Sequence, residues 1–337
     1  MEPIPLINLE HVARISGLLE EAGVRPQHYM ERAGLSPDLR EHPVGFAPGH
    51  NVWNLVDLAE RGEGLGDWWL DIARTADWHR AGWVRPMTRA ATLGEALRIM
   101  CASYVRQIPM NQLGISFEGP TAWFWRRRIA DVRDWKGGDP AEQYTLSFML
   151  EAIRAGAGAA WLPERLKVES ARSGWIATTD RFHGVQVEHD QPLLAVAIPL
   201  PLLALPVSIS VHEPAADAGP VPAADFHGSL RQILEALPSD LPPCEERAAG
   251  QLEMSTRTLR RRLREEGTTF REITREILFA NARARLAERG LTIREIAEAL
   301  GYADAAHFTR FFRRRAGVPP SVYREHLADA PARASAD

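Results

Sequence analysis

At 337 residues, 25% charged and 45% hydrophobic, the chain has room for two domains that each bury a core, and it is neither fibrous nor intrinsically disordered. Two cysteines, Cys101 and Cys244, exclude a disulfide framework and any pair of CxxC zinc knuckles. The net charge of −4 conceals a division: residues 244–325 hold 17 Arg and 12 acidic residues, a net +5, which leaves −9 elsewhere and points to a polyanionic partner for the cationic module alone.

The first ten residues lack the basic, apolar and small-residue succession of a secretory leader, so a cytoplasmic protein is expected. Helical periodicity follows over residues 9–22, 52–59 and 93–104, the last opened by the capping pair Thr92 and Glu95. Strands are predicted over 114–118 and 121–127, as a hairpin about Gly119 and Pro120, then a helix over 142–155 and short strands over 167–170 and 184–189. Residues 193–211 form an uncharged run long enough for a bilayer, but Pro199, Pro201 and Pro206 would break a helix there. Val196, Ile198, Val207 and Ile209 suit buried strands instead, so no membrane association is expected. This order predicts an α+β domain over residues 1–211. The Ala- and Pro-rich segment 212–225 reads as a linker.

No catalytic chemistry is legible in that first domain: HExxH, GxSxG and Walker loops are missing, and Gly62, Gly64 and Gly66 lack dinucleotide spacing. His183, Glu188, His189 and Asp190 straddle a turn and a strand where neighbours point oppositely, so neither metal nor cofactor is expected. Trp68, Trp83, Trp123 and Trp125 are candidates for lining a small-molecule pocket, although buried aromatics more often simply fill a core.

From residue 226 to 326 the pattern is all helical and repeats itself: AGQLEMS (249–255) aligns with AEALGYA (297–303), and Leu259 and Leu263 align with Phe308 and Phe312. In a helix-turn-helix unit the second helix buries one stripe and lays another in the major groove of DNA. The first copy meets this need with Ser255 as N-cap, Gly267 as stop and Leu259 and Leu263 facing inward. Arg257, Arg260, Arg261 and Arg264 recur at i, i+3, i+4, i+7, a stripe without the mixed signs of an ordinary solvated face. In the second copy Asp304 caps a helix that buries Ala305, Phe308, Phe311 and Phe312 and leaves His307, Arg310 and Arg314 outside. Between the copies, residues 270–288 form one helix opened by Thr269 and Glu272, about 28 Å long and so comparable to the ~34 Å between successive major grooves. Thr292 and Glu295 open the helix over 293–300, which Gly301 ends. The tail, 327–337, has no apolar face and is expected to be disordered.

Through STRTLRRRLREEGTTF (255–270) and IREIAEALGYADAAHFTRFFRRRAGVPPSVYR (293–324) the chain resembles the AraC/XylS family of bacterial transcription regulators. The resemblance implies double-stranded promoter DNA and RNA polymerase as partners. It places groove-facing positions at Arg257, Arg260 and Arg261, and at Ala305, Ala306, His307, Thr309 and Arg310. Residues 6–206, through TLGEAL (92–97) and the segment 193–206, resemble the effector domain of the subgroup with an arabinose-binding-type N-terminus. That implies a small-molecule sensor which also supports a homodimer. The expectation is an effector-controlled activator without enzymatic activity. The alternatives are a regulator controlled by abundance or a protein partner, and one with an enzymatic N-terminal domain. Two departures stand out: Glu253 replaces the usual turn glycine, and Ala305 and Ala306 cannot hydrogen-bond bases, which leaves readout to His307 and Arg310.

Overall fold

The structure, a computed structural model, describes residues 2–40, 43–75, 84–128, 138–172, 174–207, 209, 220–237, 243–288 and 290–329. The chain divides into two compact units, Ile4–Ala223 and Ala224–Asp337. Most of the expected linker, and the tail beyond residue 329, lie outside the described residues. The final helix runs on to Asp329.

In the first unit, β1 (Leu6–Asn8) leads directly into α1 (Leu9–Glu21), because Asn8 turns its side chain back to accept from Glu10 N at 2.8 Å. After α2 (Pro26–Arg32), β2 (Phe46–Pro48) pairs antiparallel with β1 and opens α3 (Gly49–Glu63). Next come α4 (Trp68–Thr75) and α5 (Leu93–Tyr104), whose N-terminus is held by Thr92 and Glu95 as their spacing predicts. The hairpin follows as β3 (Asn111–Glu118) and β4 (Thr121–Arg128), then α6 (Gly138–Ala157), β5 (Arg165–Lys167), β6 (Gln186–Glu188) and β7 (Leu194–Pro199). Strands β3-β4-β7-β5-β6 form one sheet, antiparallel except for β5 with β6.

Among the described residues of the uncharged run 193–211, the strand extends only to Pro199, and residues 200–204 form a 3-10 turn where the prolines withhold backbone donors. Among the described residues no helix is long and apolar enough to cross a membrane. Helix α6 is the spine of the unit: α3, α4, α5 and β7 pack on it, and Leu146, Met149, Ala152 and Ile153 are fully buried. Register sorts the sheet into two faces. Ala122, Phe124 and Arg126 align with Ile198, Val196 and Leu194 on one face, while Trp123 and Trp125 share the other with Ala197 and Ala195.

The second unit is all helical: α7 (Phe226–Glu235), α8 (Glu245–Gln251), α9 (Thr256–Glu265), α10 (Phe270–Ala287), α11 (Ile293–Ala299), α12 (Ala305–Ala316) and α13 (Pro320–Asp329). Helices α9 to α12 begin at Ser255, Thr269, Thr292 and Asp304 respectively, whose side chains each accept a backbone N–H, from Thr258, Glu272, Glu295 and His307. At the end of α9, Glu266 accepts from Phe226 N and His227 N, which ties the start of α7 to the first repeat. The second repeat closes on Ala282, Leu286, Ile296, Ala297, Phe308 and Phe312.

Candidate nucleic-acid interface

The apolar spacing of α9 and α12 decides which side chains remain outside. Leu259 and Leu263 are fully buried, as are Phe308 and Phe312, while Ala305 and Phe311 are half-buried against the same core. The opposite face of α9 exposes Arg257, Arg260, Arg261 and Arg264, and that of α12 exposes Ala306, His307, Arg310 and Arg314. Arg262 turns aside and stacks over the Phe226 ring at 5.3 Å. The final turn of α12 adds Arg313 and Arg315, where the negative end of the helix favours cations.

The stripe on α9 is less uniformly cationic in space than along the sequence. Arg260 holds Glu245 of α8 in a two-pronged ion pair of 2.9 and 2.7 Å, which raises its pKa further, and Arg261 pairs with Glu265 at 2.9 Å. Arg264 folds back so that its Nε donates to the Arg260 carbonyl at 3.2 Å. Arg257, Arg310 and Arg314 make no ion pair among the described residues. A polyanion approaching α9 therefore exchanges a carboxylate for phosphate at Arg260, whereas on α12 the guanidinium groups meet it directly.

On α12, Asp304 receives the His307 backbone N–H at 2.6 Å, and Tyr302 presents its ring edge-on to the His307 imidazole at 5.4 Å. Tyr302 also touches Phe308 and Phe311, so a side chain anchored in the core orients the exposed histidine. Thr309 is half-buried and its hydroxyl donates to the Ala305 carbonyl at 2.7 Å, an intrahelical bond that draws it away from the outer face. Neither Glu245 nor Tyr302 was signalled by the periodicity. Glu245 lies fifteen positions before its partner, and only the folded turn brings the two together.

That turn takes a left-handed step at Glu253, φ 51°, where the second copy has Gly301 at 77°. The position needs positive φ in both copies, and the first meets it with a residue that pays a steric penalty there.

Among the described candidate tryptophans, Trp123 and Trp125 lie together on the sheet and Trp68 lies elsewhere, on α4. Trp123 is buried, donates from Nε1 to Glu118 at 2.8 Å and lies under Lys167 and Arg165 at 4.2 and 4.8 Å. Trp125 lies over Gly114 beside it, whereas Trp68 sits on α4 against Trp69, and Trp83 falls outside the described residues. A surface pocket of about 340 Å³ is lined instead by Arg172, Ile176, Thr179, Phe182, His183 and His189, with none of these tryptophans. Among the described residues no three His, Cys, Asp or Glu side chains form a metal-binding group.

A family model for the arabinose-binding domain of AraC transcription regulators matches residues 23–207, more than half of the chain, and a helix-turn-helix domain model matches residues 248–326. The chain is 34% identical over 151 residues to the ornithine utilization regulator of Pseudomonas aeruginosa, a match covering 42% of this chain and 44% of that protein. To an uncharacterized HTH-type transcriptional regulator of Mycobacterium bovis it is 44% identical over 85 residues, 25% of each chain. These matches span less than half the length of the curated relatives. Among solved structures it is similar to the transcriptional regulator CdpR from Pseudomonas aeruginosa, 23% identical with 89% of this chain and 97% of that one covered, at a TM-score of 0.36. Both of these curated relatives carry the names of regulators. By the family model that spans most of its first unit, the chain belongs to the AraC family of transcription regulators.

Proposed function

We propose that the chain is a cytoplasmic, sequence-specific DNA-binding regulator that activates transcription when a small molecule occupies its first unit. The observation that carries the reading is the pair of capped helices, α9 and α12, each burying a Leu or Phe stripe and exposing arginines, at the two ends of the single helix α10. Arg257, Arg260, Arg261, Arg264, Arg310 and Arg314 supply the phosphate and guanine contacts, and His307 reads base edges from the first turn of α12. Ala306 offers a methyl to thymine. Ala305 and Thr309, turned towards the core and the helix backbone, contribute at the margin.

The first unit senses the effector, supports a homodimer and passes the signal on to recruitment of RNA polymerase. A relative named for ornithine utilization is in keeping with a metabolite as the signal. A ligand controls output only where it binds the active and inactive states differently.

The test is footprinting of promoter DNA by the full chain, followed by titration of Arg260→Ala and Arg310→Ala on the protected site. Each substitution is expected to weaken binding there roughly 10- to 100-fold and to relax base preference at one position. Parental affinity in both variants would sink the assignment of recognition faces.

A further inference from the structure

One ion pair of the second unit is better explained by what it leaves open than by what it joins. Glu245, in the first turn of α8, presents both carboxylate oxygens to Arg260, midway along α9: Oε1 accepts from Nε at 2.9 Å and Oε2 from Nη2 at 2.7 Å. The carboxylate is largely covered, its side chain 18% exposed, while the arginine side chain stands out at 59%. An ion pair in such a place adds little to stability. What it does fix is the direction of a side chain that would otherwise sample many rotamers.

A guanidinium carries five N–H donors in one plane. Glu245 takes the side edge, one hydrogen from Nε and one from Nη2, which leaves the end edge, formed by Nη1 and the second hydrogen of Nη2, directed away from the carboxylate. That end edge is a pair of parallel donors, the fork that matches O6 and N7 of guanine in the major groove. Among the described residues no acceptor occupies it, and it belongs to the face of α9 that also exposes Arg257, Arg261 and Arg264.

Charge selects between the acceptors that DNA offers. Glu245 neutralises Arg260, and the exposed Glu246 beside it acts on the same guanidinium. A phosphate reaching Arg260 meets two carboxylates and must displace one of them. A guanine edge presents neutral acceptors and lets Glu245 stay. The carboxylate also settles the arginine rotamer before DNA arrives, so that ordering cost is not incurred on binding.

We propose that Glu245 determines sequence specificity in the first repeat: held side-on by its carboxylate, Arg260 reads one guanine through Nη1 and Nη2 and is withheld from phosphate. Glu245 touches no base itself and acts as a positioning residue. The proposal rests on the DNA-binding reading above and separates one of its arginines from the rest by task.

The test uses the full chain on the operator defined by footprinting and on a random duplex of the same length, with affinity measured from low to moderate salt and base preference by selection from operator libraries. For Glu245→Ala the ratio of operator to random-duplex affinity is expected to fall ~10-fold, because binding to the random duplex rises while guanine preference at one position is lost. The salt dependence on the random duplex should steepen by about one phosphate contact. Glu245→Gln removes the charge but keeps an oxygen for the Nε–H, so its salt dependence should follow that of the Ala variant while part of the guanine preference survives. In an Arg260→Ala background, Glu245→Ala should change neither quantity further. Loss of a carboxylate from the first turn of α8 also weakens that helix, but lost folding lowers affinity for both duplexes and cannot raise one of them. Parental base preference and salt dependence in both Glu245 variants would overturn the proposal. So would an effect of equal size in the Arg260→Ala background, or a guanine preference that survives Arg260→Ala. The regulatory reading fails separately: a parent that protects no promoter DNA refutes it, whereas a parent that does so with indifferent Glu245 variants refutes only the role given to Glu245.

Discussion

Glu253 carries the most direct conflict between side chain and backbone in the second unit. Among the described residues only Asp190 and Glu253 are non-glycine residues at positive φ, and at 51° the Glu253 Cβ crowds its own carbonyl. Glycine at the same place gives up some unfolded-state entropy but removes the clash, so Glu253→Gly is expected to stabilise the second unit by about 1 kcal/mol. For a unit of about a hundred residues that corresponds to a rise of ~4–8 °C in its calorimetric melting temperature. An unchanged or lower value would mean that Glu253 is not strained. In the first unit the comparable single-residue effect is electrostatic. Burial, assisted by Arg14, lowers the His11 pKa from 6.5 to about 3, so between those values the unfolded chain binds a proton that the folded chain refuses. The stability gained from a neutral His11 is therefore complete above pH 6.5 and declines as pH falls, at up to ~1.4 kcal/mol per pH unit. Urea unfolding monitored by tryptophan fluorescence should show the first unit about 2 kcal/mol less stable at pH 5 than at pH 7 from this group alone. His11→Gln should flatten that difference, and an equally steep loss in the variant would assign it elsewhere.

At the scale of elements, the second repeat depends on its caps. Thr292 accepts from Glu295 N at 3.1 Å while Glu295 accepts from Thr292 N at 2.7 Å, and this reciprocal pair fixes the start of α11, the helix that supports α12. Thr292→Ala is expected to destabilise the second unit by about 1 kcal/mol and to leave base preference unaltered, since no groove-facing side chain changes. A shift in preferred sequence, determined by selection from random duplexes, would instead place α11 in the interface. Such caps are also why much of the fold was legible before it was seen. Helix α5 starts and ends at the residues that Thr92 and the apolar period indicate, and α10 stops one residue short of the expected end. The elements that escaped, β1, β2, α2 and α4, are three to eight residues long and too short to establish a period. Their pairing and burial come from distant parts of the chain. The outward faces of α9 and α12 were legible for the same periodic reason. Glu245 against Arg260 and Tyr302 against His307 were not, because tertiary packing alone sets those contacts.

For the molecule as a DNA reader, the decisive quantity is the distance that α10 imposes. Its eighteen residues span about 27 Å; α11, α12 and α13 pack on it directly, and α9 is joined to it through α7, so α9 and α12 are held by a stiff rod and not a tether. A stiff rod fits one separation and one rotational phase of the duplex, with the two contacted segments about 10 base pairs apart on one face. Inserting five base pairs between those segments turns the second by half a helical turn and should reduce affinity to that of a single helix-turn-helix. Inserting ten restores the phase but lengthens the gap to roughly twice what α10 can bridge, so binding should remain weak. Substitutions make the test specific. On the natural operator, Arg260→Ala and Arg310→Ala should both weaken binding, whereas on the five-base-pair insertion only the substitution in the helix that stays engaged should matter. Full recovery of affinity on the ten-base-pair insertion would show that the two repeats swing independently, and α10 would then be no ruler at all.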